Sequence, residues 1–216
     1  MATKIVTIDP AHPEKAFERC RSVIGSGGVI AYPTDTFYGL GADPRDPGAV
    51  TRLFEIKGRP VGQPILLLLN DKSAVREWAA EVTDEAEALM DAFWPGPLTL
   101  VCTALPAVLQ ELTGGTGRIG LRVPGSDVTR RLLFALGTAL TGTSANRSGF
   151  PDLQTAPDVA SMLGDAVDLI LDAGVTPGGK ASSVVDVSAR ELTMVREGTV
   201  SEQALRVALH KFKKRT

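Results

Sequence analysis

No apolar run in this 216-residue chain is longer than five residues, as at Ile65–Leu69, and 22 glycines and 14 prolines punctuate the sequence. A buried strand can be that short, whereas a membrane-spanning helix needs about 20 apolar residues. Short apolar runs bounded by Gly and Pro predict an α/β fold with many short loops. Strands are expected at Ile5–Ile8, Val29–Tyr32, Ile65–Leu69, Leu98–Thr103, Ile119–Val123, Thr138–Thr143, Asp168–Leu171, Ser183–Val187 and Thr193–Val195. Helical spacing covers Pro13–Ile24, Lys72–Trp78, Thr83–Phe93, Ser126–Leu136 and Thr155–Leu163. Asp46-Pro47 starts another helix, with Asp as N-cap and Pro in the first turn, and Gly58 ends it after Lys57. Thr199 and Glu202 read as a capping box for a last helix reaching His210. The strands are irregularly spaced and some are adjacent. The expected fold is therefore an open twisted mixed β-sheet with helices on both faces.

The length suits one compact domain over residues 1–216, since a single core serves chains up to about 250 residues. Hydrophobic residues make up 44% and charged residues 22%, which is ordinary for a packed globular chain. The net charge of −2 provides no global basic field to hold nucleic acid. A basic tail at about 211–216 reads as a solvated end, with an RNA contact as the lesser alternative. Cys20 and Cys102 have neither disulfide nor zinc spacing and read as small buried hydrophobes. The opening MATKIVTIDP has no apolar core of a signal peptide, so a cytoplasmic protein with no membrane partner is expected.

Four segments are rich in loop-compatible polar groups. Tyr32–Gly41 leaves a buried strand with Thr34, Asp35 and Thr36 and then a glycine loop. That suits either a strand-end turn or a ligand site. Lys57-Gly58-Arg59 sets two cations at a helix C-terminus, where they either complement the helix dipole or clamp phosphate. Strand alternation puts Arg118, Gly120 and Arg122 on one face. An arginine there either meets an internal carboxylate or binds a ligand anion. Thr141–Asn146 carries hydroxyls and an amide out of a strand, as a Ser/Asn turn or an anion nest. Ser182 before a strand and Arg196 at the end of another add to the set. The two histidines, His12 and His210, lie outside all of these segments. A Ser–His–Asp triad, a Cys–His pair and a histidine zinc site are therefore not expected. Arg, Lys, Thr, Ser and Asn without a base suit charge stabilisation, as in phosphoryl or nucleotidyl transfer.

The successive blocks GGVIAYPTDTFYGLGADP, KGRP, FWPGPLTLV, GRIGLRVP, TGTSANRSG and SSVVDV…VREG resemble the YrdC-like threonylcarbamoyl-AMP synthase family. The resemblance runs from about Ile5 to Leu209 in the family's order. It implies synthesis of threonylcarbamoyl-AMP and pyrophosphate from L-threonine, bicarbonate and ATP, with Mg2+ and no organic prosthetic group. It also implies partner threonylcarbamoyl transferase proteins that then modify tRNA, with a weak tRNA contact. Position by position, the resemblance implies that Lys57, Arg59, Gln63, Arg118, Ser144, Asn146 and Arg196 meet ATP. It implies that Thr36, Arg122 and Ser182 meet threonine. Leu68 stands where many relatives carry a threonine-contacting histidine, and Asp152 where longer relatives offer a serine. Two alternatives are a non-catalytic RNA-binding module and a paralogue with another acyl substrate.

Overall fold

A computed structural model of the chain describes residues 4–9, 11–60, 62–189 and 191–214. Arg215 and Thr216 of the basic tail lie outside the described residues. Ten strands form one mixed sheet. They are β1 (Lys4–Thr7), β2 (Ile30–Tyr32), β3 (Gly39–Gly41), β4 (Leu66–Leu68), β5 (Leu98–Thr103), β6 (Arg118–Arg122), β7 (Leu140–Ser144), β8 (Leu169–Asp172), β9 (Ser183–Asp186) and β10 (Thr193–Arg196). Their spatial order is β1-β8-β2-β3-β7-β4-β6-β5-β9-β10. The pairs β1·β8, β2·β8, β4·β6 and β5·β9 are parallel, and the others are antiparallel.

Seven α-helices flank the sheet: α1 (Glu14–Gly25), α2 (Pro47–Lys57), α3 (Asp84–Phe93), α4 (Gln110–Thr113), α5 (Asp127–Leu136), α6 (Ala156–Leu163) and α7 (Glu202–Lys213). The alternation of side chains along the strands sorts them between two faces. Ala31, Leu67, Leu100, Leu121 and Ile170 face one core, which holds α2, α3, α6 and α7. Ile30, Tyr32, Leu140, Leu169 and Leu171 face the other, which holds Phe17 and Cys20 of α1 and Leu132 and Leu133 of α5. Each large aliphatic or Phe side chain among them contributes about 1.5–3 kcal/mol by leaving water. Helices thus cover both faces, but α1 and α5 cover only part of theirs. The rest of that face, over β4, β5, β6, β7 and β9, stays open as a cavity.

Local chemistry explains most boundaries. Asp46 accepts from the Gly48 and Ala49 amides and starts α2, while Gly58 ends it in the left-handed region at φ 58. Ser126 caps α5 through the Thr129 amide. Both cysteines are buried and free, in separate cores. The last turn of α7 carries His210, Lys211 and Lys213, where cations meet the negative end of the helix.

Three expectations need correction. Gly39–Gly41 is a strand and not a glycine loop. It lies against the Tyr32 ring so closely that a Cβ on Gly41 would come within 2.7 Å of it. Residues Lys72–Glu77 form a 3-10 helix capped by Asp71, and not an α-helix. Ser201, not Thr199, caps α7, by accepting from the Ala204 amide. Thr199 is drawn away because its hydroxyl donates to the Lys180 carbonyl at 3.0 Å.

Candidate active site

The cavity has a volume of about 630 Å³. Its floor is the open part of the sheet. Thr99 and Val101 of β5, Arg118, Gly120 and Arg122 of β6, Gly142 and Ser144 of β7, and Leu66 and Leu68 of β4 all line it. The glycines make room for the leucines: a Cβ on Gly142 would sit 2.5 Å from Leu66 Cδ1, and one on Gly120 would sit 3.0 Å from Leu66 Cβ. The walls are Thr34, Thr36 and Tyr38 after β2, Arg59 and Pro64 after α2, Asp152, and Ser182 and Arg196 at the β9–β10 edge.

The Lys57-Gly58-Arg59 segment splits in two. The left-handed turn at Gly58 sends its two cations in different directions. Arg59 lines the cavity. Its Nη2 donates to the Pro64 carbonyl at 3.1 Å, but its Nε is buried without a hydrogen-bond partner. A buried orphan donor costs about 1–3 kcal/mol, so it calls for a missing acceptor. Burial also pulls the Arg59 guanidinium below its ordinary pKa. Lys57, 4% exposed, does not line the cavity. Its Nζ donates to Ser144 O at 2.5 Å, Asn146 O at 3.0 Å and Asn146 Oδ1 at 2.9 Å.

Asn146 is used up within the same network. Its Oδ1 also accepts from Ser144 Oγ at 2.7 Å. Its Nδ2 donates to Phe150 O at 2.6 Å and to Asp152 Oδ1 at 3.2 Å. Ser144 and Asp152 line the cavity, while Asn146 lies behind them. Gln63 is exposed and does not line it.

Arg122 resolves toward the internal carboxylate. Its Nη2 meets Asp35 Oδ1 at 2.5 Å, and its Nε donates to the Gly96 carbonyl at 2.9 Å. The Pro33–Thr36 turn and the Trp94–Pro97 turn therefore hold one guanidinium between them at the cavity wall. Thr34 and Thr36 share a hydroxyl contact at 3.1 Å beside it.

Arg118 of β6 reaches past β5 to Asp186 of β9 at 2.8 Å, at the exposed rim. Arg196 donates from Nε and Nη2 to the Ser182 carbonyl at 3.1 and 2.8 Å. Ser182 Oγ in turn lies 3.2 Å from Thr99 Oγ1. Burial lowers the pKa of Arg196, the Arg122 charge adds to this and the Asp152 charge opposes it.

Thr99, Tyr38 and the Asp35–Arg122 pair do not stand out in the sequence. Thr99 had a usable signal, because it alternates with Leu98 and Leu100. The structure brings Thr36, Arg59, Arg118, Arg122, Ser144, Ser182 and Arg196 to one cavity, with Leu68 on its floor.

The family model described as "Telomere recombination", covering Sua5, YciO and YrdC proteins, matches residues 22–198. The chain belongs to this family. It is 36% identical over 175 residues to the threonylcarbamoyl-AMP synthase of Pyrococcus abyssi, a match covering 81% of this chain and 52% of that protein. It is 37% identical over 162 residues to the threonylcarbamoyl-AMP synthase of Thiobacillus denitrificans, covering 75% of this chain and 86% of that protein. Among solved structures it resembles P. abyssi Sua5 complexed with L-threonine, at TM-score 0.91 and 32% identity. That match covers 95% of this chain and 61% of the other. It also resembles E. coli YciO, at TM-score 0.85 and 29% identity, over 94% of this chain and 99% of the other. The chain thus spans about half of the curated Pyrococcus relative but most of the Thiobacillus one.

Proposed function

We propose that this chain is an L-threonylcarbamoyladenylate synthase, a nucleotidyltransferase that joins L-threonine, bicarbonate and ATP and releases pyrophosphate. The observation that carries the reading is the unpartnered, buried Arg59 Nε in the wall of a cavity lined by four arginines and several hydroxyls. The two described histidines are elsewhere: His12 lies before α1 and His210 near the end of α7. Such a site binds and neutralises anions and offers no nucleophile–base pair. The names of the family relatives, one of them solved with L-threonine, supply the substrate class.

In this reading Arg59, Arg196 and Ser144 hold the nucleotide, with Arg118 at the rim. Thr36, Ser182 and Arg122 hold threonine, and Arg122 is kept in place by Asp35. The threonine amine takes up carbon dioxide from bicarbonate to give a carbamate and water. A carbamate oxygen then forms a bond to the α-phosphorus as the bond to pyrophosphate breaks. Arg59 stabilises the charge gathering on the leaving group.

Among the described residues no group of three His, Cys, Asp or Glu is placed to hold a metal. Asp186 is paired with Arg118, while Asp152 faces the cavity with an amide partner. Asp152 is the cavity carboxylate that would help to hold a magnesium ion brought in with the nucleotide. When bound, that ion would add to the neutralisation of pyrophosphate. Partner threonylcarbamoyl transferases acting on tRNA would consume the product. No described helix is long and apolar enough to cross a membrane. A cytoplasmic site of action, with ATP and tRNA at hand, fits the reading.

The test is Arg59→Ala assayed for pyrophosphate release beside the parent protein. The reading expects a folded protein with little activity. Full activity in a folded variant would count against it.

A further inference from the structure

We infer that Lys57 is a positioning residue that locks the Ser144–Ser148 loop against the end of α2, and not a ligand of the nucleotide phosphates. The inference rests on the nucleotide site proposed above. Its geometry has four parts. The ammonium has three N–H groups, and three acceptors of the loop take them: two main-chain carbonyls and the Asn146 amide oxygen. The main-chain carbonyl of Lys57 grips the same loop again, accepting from the Ser148 amide at 2.9 Å. The side chain is buried and lies outside the cavity lining, whereas its neighbour Arg59 lies in it with a free donor. Finally, Asn146 passes the constraint on to Ser144 and Asp152, which do face the cavity.

Burial, helped by the Arg59 charge and opposed by Asp152, pulls the Lys57 pKa down to about 8. Holding this cation out of water is unfavourable, which fits a group kept for the placement it enforces.

On the proposed site, Ser144 meets the part of the nucleotide that AMP, ADP and ATP have in common, and Arg59 the phosphates beyond it. Binding of the three to Lys57→Met, measured by calorimetry, should therefore weaken by one common factor of about tenfold, the worth of one good charge-assisted hydrogen bond. Arg59→Ala serves as the contrast, with a loss that grows from AMP to ATP. A Lys57→Met loss that also grows along that series overturns the inference, and so does a folded variant with unchanged affinities.

Reductive methylation of the unaltered protein decides the point if Lys57→Met fails to fold. A lysine with so low a pKa would be among the most reactive if it were accessible. Lys57 left unmodified without nucleotide supports the lock, and Lys57 methylated overturns it. Labelling needs no substrate. Failure of the parent protein to bind any of the three nucleotides would therefore strike the proposed function separately, while the labelling still decides the lock.

Discussion

One face of the sheet behaves in two ways. Over β1, β8 and β2 it carries Val6, Leu169, Leu171, Ile30 and Tyr32, and α1 and α5 bury it. Over β6, β5 and β9 the same face carries Arg118, Gly120, Arg122, Thr99 and Asp186 beside Val101 and Val184, and no described helix covers it. The backbone is alike in both parts; the side chains differ. Large apolar groups recruit a helix because burial stabilises each by about 1.5–3 kcal/mol. Arginines, hydroxyls and glycines repel one, since burying them against a helix would leave polar groups unpaired. Leaving that half uncovered keeps its polar groups within reach of solvent or ligand. The lesson is that stability and ligand binding are separable along a single sheet.

That separation can be broken in graded steps. The largest effect is expected in the covered half. Phe17→Ala should lower stability by about 3–5 kcal/mol, with Km values of the surviving folded protein unchanged. Chemical denaturation with parallel kinetics checks this, and a shifted Km for threonine or ATP would show that the halves are coupled.

Next comes Lys57, beneath the open half. Its pKa, lowered from 10.5 to about 8, means the unfolded chain holds this proton more tightly than the folded one. Stability should therefore rise as pH climbs from about 8 toward 10.5, and the Lys57→Met variant should lack that contribution, on the order of 3 kcal/mol. Denaturation curves of both proteins across that range test it, and parallel pH profiles would refute it.

In the open half, Arg59→Ala should cut kcat/Km about 100-fold, or about 2.7 kcal/mol of transition-state stabilisation. Its midpoint of unfolding should barely move. A comparable fall in stability would mean that Arg59 is scaffold. The smallest effect is assigned to Thr36→Val, which should raise Km for threonine about fivefold, near 1 kcal/mol, without changing AMP affinity. Equal changes for both ligands would remove Thr36 from the proposed threonine contacts.

Parts of this division could be read directly from the residues. Asp46-Pro47 and Gly58 bracket α2 because a cap, a ring and a left-handed glycine act locally. The alternation of Arg118, Gly120 and Arg122 put all three on one face, where the structure has them. β3 was not legible, since glycines carry no side-chain pattern and what excludes a Cβ there is the Tyr32 ring of the paired strand, with Leu140 and the Thr143 carbonyl of β7. Nor was the partner of Arg122, because Asp35 lies 87 positions away in the chain. Lys57 and Arg59 look equivalent in the sequence. What separates them is one positive φ and a loop some 90 residues further on, at Ser144 and Asn146. Capping and alternation are local; pairing across the fold is not.

The central claim is that the uncovered half of the sheet activates threonine with ATP. The direct measurement is pyrophosphate release by the purified protein, with threonine and bicarbonate each present or withheld. The account predicts release only when both accompany ATP. Release that proceeds equally well without threonine would contradict it.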